Sequence, residues 1–217
     1  MNSAIILAGG IGSRLNSDIP KQFIRANNGR RIIDFSIEVF RKNKYINEII
    51  IVLPKEWIDK YGEEYKDYKL VLGGNERYES SKAGLLASSS KSKNIIIHDA
   101  ARPLITDILI DNCIHYLEEY NAVAPYINST DSLVMINDNI NYLNRDKIKL
   151  IQTPQAFDKK TLMAAMTNIK NNISDDMSAI LDYNKDTPSK LFKGDIYNFK
   201  ITNDLDLKIF NTIIYEK

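Results

Sequence analysis

The run Ala4-Ile5-Ile6-Leu7 passes directly into Ala8-Gly9-Gly10-Ile11-Gly12-Ser13-Arg14, and Pro20-Lys21-Gln22 closes the segment. An apolar run this short, stopped by glycine, reads as a buried strand. Between Leu7 and Gln22 the chain gathers three glycines and two cations. That is a design for holding phosphate. Glycines let the backbone approach an oxyanion, successive N–H groups form an anion-binding concavity, and Arg14 and Lys21 add full charge. Two familiar glycine loops do not fit. A P-loop needs a Lys-Ser/Thr pair after its glycines, and a dinucleotide fingerprint needs a third glycine where Leu15 stands. A plain structural turn is the remaining alternative, but it gives no reason for two cations placed beyond the glycines.

From this loop outward the pattern alternates. Helical spacing over Ile32 to Phe40 leads to a strand at Glu48 to Leu53, a helix at Glu56 to Tyr61 and a strand at Lys69 to Leu72. A helix at Glu79 to Ser88, a strand at Asn94 to His98, a helix at Thr106 to Tyr120 and a strand at Ala122 to Ile127 continue it. Such alternation predicts an α/β chain with a layered, mainly parallel sheet. Between Asp131 and Gln152 short apolar pieces flank an Asn-Asp-Asn turn at 137 to 139, which predicts a projecting β-hairpin arm. Helices are expected at Lys159 to Ile169 and Asp175 to Tyr183, the second capped by Ser174 with two aspartates in its first turn. A strand at Lys190 to Lys193, an extended piece Asn198 to Thr202 and a helix Asp204 to Tyr215 finish a chain read as a single domain over 1–217.

Composition narrows the partners. The chain has 217 residues, 29 Lys plus Arg against 28 Asp plus Glu, and a net charge of +1, so no overall field favours nucleic acid or an acidic membrane. An anionic ligand has to be held by local charge. A single cysteine, Cys113, lies in the apolar spacing of Ile110 and Leu117 and is read as core; a lone thiol and the lack of an apolar span suit the cytoplasm.

In layered parallel sheets ligands bind beyond the carboxyl ends of the strands. Four polar clusters fall there. Gly73-Gly74-Asn75-Glu76-Arg77-Tyr78-Glu79-Ser80 comes after the third strand, with Ser80 as helix cap the plain alternative. His98-Asp99-Ala100-Ala101-Arg102-Pro103 comes after the fourth; Asp99 can hold a magnesium ion beside phosphate oxygens or, alternatively, brace the loop through Arg102, while His98 is read as structural. Gln152-Thr153-Pro154-Gln155-Ala156-Phe157 reads as a rigid hydrogen-bonding corner, and Asn198-Phe199-Lys200-Ile201-Thr202 sets a lysine among apolar residues, where it wants an anion. Arg14, Lys21, Arg145 and Lys200 with Asp99 suit phosphoryl or nucleotidyl transfer, which needs positioning and charge more than covalent chemistry. No Ser-His-Asp or Cys-His arrangement competes.

These five motifs, in this order and over nearly the whole chain, resemble the cytidylyltransferases of the ribitol phosphate and methylerythritol phosphate pathways. The resemblance implies a three-layer, Rossmann-like nucleotide-diphospho-sugar-transferase fold, CTP as substrate, Mg2+, and a homodimer whose arm reaches the neighbouring site. It places Ala8, Gly9, Gly10 and Gly12 along CTP, with Gly74, Asn75 and Ser80 near the cytosine. Arg14, Lys21 and Lys200 become the catalytic cations, and Asp99 the residue beside metal and acceptor. Ser132, Arg145, Thr153 and Lys200 fall on the acceptor side, Arg145 gripping its phosphate from the arm.

Which branch is a closer matter. Leu7-Ala8-Gly9-Gly10 looks more like the ribitol phosphate enzymes, and Ser132 with Val134 departs from the Thr-x-Lys common in the methylerythritol branch; Ala100-Ala101 and the Arg77 to Ser80 spacing look more like the latter. The expectation is therefore a polyol phosphate acceptor such as ribitol 5-phosphate, with methylerythritol 4-phosphate as the alternative. A dinucleotide oxidoreductase, a non-catalytic nucleotide binder and a sugar-1-phosphate nucleotidyltransferase fit the later motifs less well.

Overall fold

The computed structural model describes residues 1–10, 19–169 and 173–215. In chain order it runs β1 (Asn2–Leu7), a 3-10 turn Lys21–Phe23, α1 (Ile32–Lys42), β2 (Glu48–Leu53), α2 (Lys55–Tyr61), β3 (Lys69–Leu72), α3 (Arg77–Ala87) and β4 (Asn94–Asp99). Then come α4 (Asp107–Tyr116), β5 (Ala122–Asn128), β6 (Leu133–Ile136), β7 (Ile140–Leu143), a 3-10 turn Arg145–Lys147, β8 (Lys149–Ile151) and β9 (Gln155–Asp158). The chain closes with α5 (Lys159–Thr167), α6 (Asp176–Tyr183), β10 (Ser189–Lys193) and α7 (Asp204–Tyr215).

One sheet has the order β10-β5-β9-β4-β1-β2-β3, with β8 added against β5. The pairs around β1 are parallel, while β9 runs antiparallel to β4 and β5, so the sheet is mixed and mainly parallel. β1 and β4 are continuous apolar runs because helices cover both faces of the sheet. Alternate side chains enter opposite layers. Ala4, Ile6, Ile51 and Ile96 pack with Ile37, Phe40, Ile110 and Cys113 of α1 and α4; Ile5, Ile50, Ile95 and Ile97 pack with Leu85, Leu162, Met166 and Ile180 of α3, α5 and α6. Cys113 is fully buried, as core, and its thiol contacts the Pro154 carbonyl at 3.4 Å. α3 lies flush on the sheet, because a Cβ at Gly84 would stand only 2.5 Å from Ile5 Cγ2.

Strand register joins two of the polar clusters. Leu7, the last residue of β1, pairs with Asp99, the last of β4, so the glycine loop and that aspartate leave the sheet side by side.

Three expectations change. The segment read as a corner, Gln155 to Phe157, is the central strand β9: its strand character was hidden by Pro154 and by its brevity. The arm is shorter than 131–152; β6 and β7 form a separate two-stranded sheet, and β8 has already rejoined β5. Asp175, not Ser174, caps α6, its carboxylate accepting the Ser178 N–H at 2.8 Å, and Asp176 is no surface charge for the helix dipole but wholly buried.

Candidate active site

A cleft of about 220 Å3 opens at the carboxyl ends of β1, β3 and β4. Its wall carries Ala8, Gly9, Gly10, Lys21 and Gln22 on one side and Gly74, Asn75, Glu76, Arg77 and Ser80 on the other, with Asp99, Ala101 and Lys200 as floor.

Gln22 fixes the first wall. Its buried carboxamide donates to the carbonyls of Ala8 and, at 3.0 Å, of Gly10. In a trans peptide the C=O and the following N–H point in opposite directions, so the Gly9 N–H is turned away from Gln22. Phe23 anchors the same turn by stacking on Trp57 and Tyr61, at 4.7 and 5.1 Å between centroids. Ser80 does not cap α3, whose N-cap is Glu76. Its hydroxyl accepts the Gly74 N–H at 3.2 Å and stands 3.5 Å from where a Gly9 Cβ would be, which ties the two glycine turns together. A Cβ at Gly73 would meet Ser80 Oγ at 2.9 Å, so a side chain there would push that hydroxyl off the Gly74 N–H.

The floor is a charge chain. Lys200 Nζ donates to Asp99 Oδ2 at 2.7 Å, and Arg77 reaches Asp99 Oδ1 at 3.4 Å and Asp176 Oδ2 at 2.7 Å. Burial pushes the Asp99 carboxyl up, but Arg77 and Lys200 outweigh it and hold the group well below the usual carboxylate range. For Arg77 burial works against the charge, yet Asp176 and Asp99 raise its pKa further. The Asp99–Arg102 brace is not formed; Arg102 donates to the Asn198 carbonyl at 2.8 Å instead.

Behind Asp99 a polar relay sets its place. The Asp99 N–H donates to Thr153 Oγ1 at 3.1 Å, and the Thr153 hydroxyl lies 3.1 Å from His98 Nδ1, while His98 Nε2 is 3.1 Å from the Arg102 carbonyl. A carbonyl accepts only, so Nε2 carries the hydrogen and Nδ1 accepts from Thr153. Thr153 therefore has no hydrogen left for an acceptor, and its observed place is as a buried support of Asp99. His98 is structural as expected: burial pushes its pKa down to about 4. An unfolded histidine takes its proton near pH 6.5, so the unfolded state binds more protons as pH falls from about 6.5 to 4, and stability drops by about 3 kcal/mol over that interval. Urea unfolding at pH 7 and pH 5 should show about 2 kcal/mol of this loss for the wild type and a flatter response for His98→Asn. Equal slopes would refute the burial account.

Ser132 and Arg145 lie outside the cleft of their own chain, both exposed; Arg145 donates to the Thr130 carbonyl at 2.9 Å. Gly12 and Arg14 fall outside the described residues.

The whole chain matches a known pattern. Residues 2–216 fit the family model described as IspD: 2-C-methyl-D-erythritol 4-phosphate cytidylyltransferase. The chain belongs to the IspD family. Among its IspD relatives, enzymes of that name from two Clostridium botulinum strains are 35% identical over 226 residues, covering 98% of this chain and 97% of the relative, and 37% identical over 223 residues, covering 96% and 97%. A solved structure of 4-diphosphocytidyl-2C-methyl-D-erythritol synthase from Anaerococcus prevotii superposes with a TM-score of 0.87 at 30% identity, over 100% of this chain and 96% of that one. As an IspD-family member the chain is a CTP-dependent cytidylyltransferase, a nucleotidyltransferase with the three-layer sheet expected of it. The preference for ribitol phosphate over methylerythritol phosphate finds no support among these IspD relatives; it leaned on the first loop, Leu7 to Gly10, which lines the cleft, and on Ser132 with Val134 of the arm, which lie outside it in their own chain.

Gln22, Arg77 and Asp176 of this IspD-family chain were missed as site residues. The first two stood inside Pro20-Lys21-Gln22 and the stretch from Gly73 to Ser80, and spacing alone did not show that they face the cleft. Asp176 carried no signal, since a helix-start aspartate ordinarily faces water.

Proposed function

We propose that the chain transfers CMP from CTP to 2-C-methyl-D-erythritol 4-phosphate, giving a CDP-alcohol and pyrophosphate, a step of isoprenoid biosynthesis. The observation that carries the reading is the cleft itself: two glycine turns and Lys21 face a floor in which Lys200 and Arg77 share Asp99. The names of the relatives support the choice of acceptor.

A phosphate oxygen of the acceptor attacks the α-phosphorus of CTP in line; the new P–O bond forms as the α–β bridge breaks, and the electron pair leaves with pyrophosphate. A phosphate monoester has a second pKa near 6 and is largely ionised at neutral pH, so the step needs no general base. Lys21, with Arg14 beyond the glycines, neutralises the charge growing on the triphosphate, and Lys200 offers its ammonium to the acceptor phosphate. Among the described residues no three-ligand cluster gathers to cage a metal, and both oxygens of Asp99 already face cations. Of the described carboxylates, Asp99 on the floor is the one that would hold a magnesium ion brought in with the triphosphate, and the ion would add charge neutralisation. The apolar, exposed faces of β6 and β7, with Ile136, Ile140 and Tyr142 at 72, 70 and 80% exposure, suit burial in a homodimer, which would carry Ser132 and Arg145 toward a neighbouring cleft. A cytoplasmic setting agrees with a chain in which no helix of the described residues is long and apolar enough to cross a membrane.

Pyrophosphate release from CTP with three acceptors tests the reading. Methylerythritol 4-phosphate should exceed ribitol 5-phosphate and glycerol 3-phosphate by at least a hundredfold in kcat/KM. Faster turnover with ribitol 5-phosphate would overturn it.

A further inference from the structure

Arg77 is held unequally. Its guanidinium makes the short contact, 2.7 Å, to Asp176 and only a long one, 3.4 Å, to Asp99. Asp176 itself is unusual: it is fully buried, Arg77 is its ion-pair partner, and the Ser81 hydroxyl is near the carboxylate without meeting strict hydrogen-bond geometry at Oδ1. Burial outweighs the pull of the Arg77 charge and the Ser81 hydroxyl and leaves its carboxyl above the ordinary value. Leaving a buried carboxylate oxygen poorly paired is costly, and a purely structural ion pair is often replaceable by apolar packing. The site that holds it is stiff. Gln155, on the central strand β9, accepts the Met177 N–H at 2.9 Å and donates to Asp175 at 2.7 Å, locking the start of α6 to the sheet.

Lys200 is the contrasting partner of Asp99: it makes the short bond, yet its side chain is 36% exposed whereas that of Arg77 is 29% exposed and tied from behind. A phosphate entering the cleft competes for Lys200. If the lysine leaves, Arg77 is the protein cation that remains beside Asp99 among the described residues.

We propose that Asp176 is a positioning residue that acts through Arg77: it anchors the guanidinium beside Asp99 without letting it close into a two-bond fork, so that Lys200 is released to substrate phosphate while Asp99 stays open to the cleft. An arginine and a carboxylate otherwise favour bidentate pairing. Without the counter-charge of Asp176, Arg77 has only Asp99 to close upon, and the aspartate is withdrawn from the cleft. The proposal rests on the transfer reading above and concerns only how the floor of that cleft is set.

Asp176→Asn keeps the shape and removes the charge. CTP binding, followed by calorimetry, should stay within about threefold of wild type, while kcat falls at least tenfold and KM for the acceptor rises. Arg77→Lys, which offers one point charge in place of a fork, should give the same split, and the double variant should lose little more than either single one. A structural role alone would lower Tm and leave kinetics unchanged at a temperature where the variant is folded. That result, or losses in the double variant that multiply, would overturn the proposal. If Asp176→Asn does not fold, Arg77→Lys with the same binding-against-turnover comparison decides it. The reference is wild-type turnover with whichever phosphorylated polyol it accepts, so failure of the acceptor reading appears in the wild type and failure of this inference only in the variants.

Discussion

Replacing Lys21 by alanine should cut kcat by roughly a thousandfold, the scale set by loss of one preorganised charge at a site of developing negative charge. The side chain leaves a turn that is held by other means. Phe23 stays stacked on Trp57 and Tyr61, and Gln22 keeps its hold on the Ala8 and Gly10 carbonyls. The fold should therefore persist, with an unchanged circular dichroism spectrum, and Lys21→Arg should recover only part of the rate because a fork replaces a compact ammonium. Near wild-type kcat in Lys21→Ala would mean that the glycine-loop side of the cleft is not where the triphosphate is neutralised.

Asp99→Asn is expected to act on both activity and stability. It removes the one anion shared by Arg77 and Lys200. A substrate then meets an unpaired Lys200 beside an Arg77 still held by Asp176, the carboxylate proposed to lie beside metal and acceptor is gone, and kcat/KM should drop at least a hundredfold. The stability loss should fall below the roughly 3–5 kcal/mol of a fully buried pair, because Lys200 is partly exposed and water takes up some of its charge. Denaturant unfolding of the two proteins at pH 7 measures this. An Asp99→Asn enzyme that is destabilised yet fully active would assign Asp99 to structure alone.

How much of this the sequence carried depends on the length scale of the signal. β2 and β3 and the final helix α7 were legible to the residue because each is a local pattern with clear borders: the run Glu48 to Leu53, Lys69 to Leu72 between polar stretches, and Asp204 opening a helical spacing. β9 was not, since a short strand entering a sheet antiparallel between β4 and β5 is chosen by its neighbours rather than by its own residues. The same division holds at the site. Gly9, Gly10, Gly74, Ser80, Lys21, Asp99 and Lys200 were all anticipated and all reach the cleft, because glycines and isolated charges after strands carry their meaning locally. Thr153 was anticipated for the substrate side and proved to support Asp99 while bonding His98, a role set by the direction of one hydroxyl. Asp176 sits 99 positions from Arg77 in the chain. Only the packing of α6 on α5 and β5, with its first turn bonded to Gln155 of β9, brings it to Arg77.

The central claim is that the α-phosphoryl group of CTP, with its cytidine, passes to methylerythritol 4-phosphate. The direct measurement is to incubate the enzyme with CTP labelled at the α-phosphorus and that acceptor, and to separate the products. All consumed label should appear in a CDP-methylerythritol product, with one unlabelled pyrophosphate released per molecule formed. Label remaining in CTP, or released as free CMP while the acceptor is unchanged, would contradict the account.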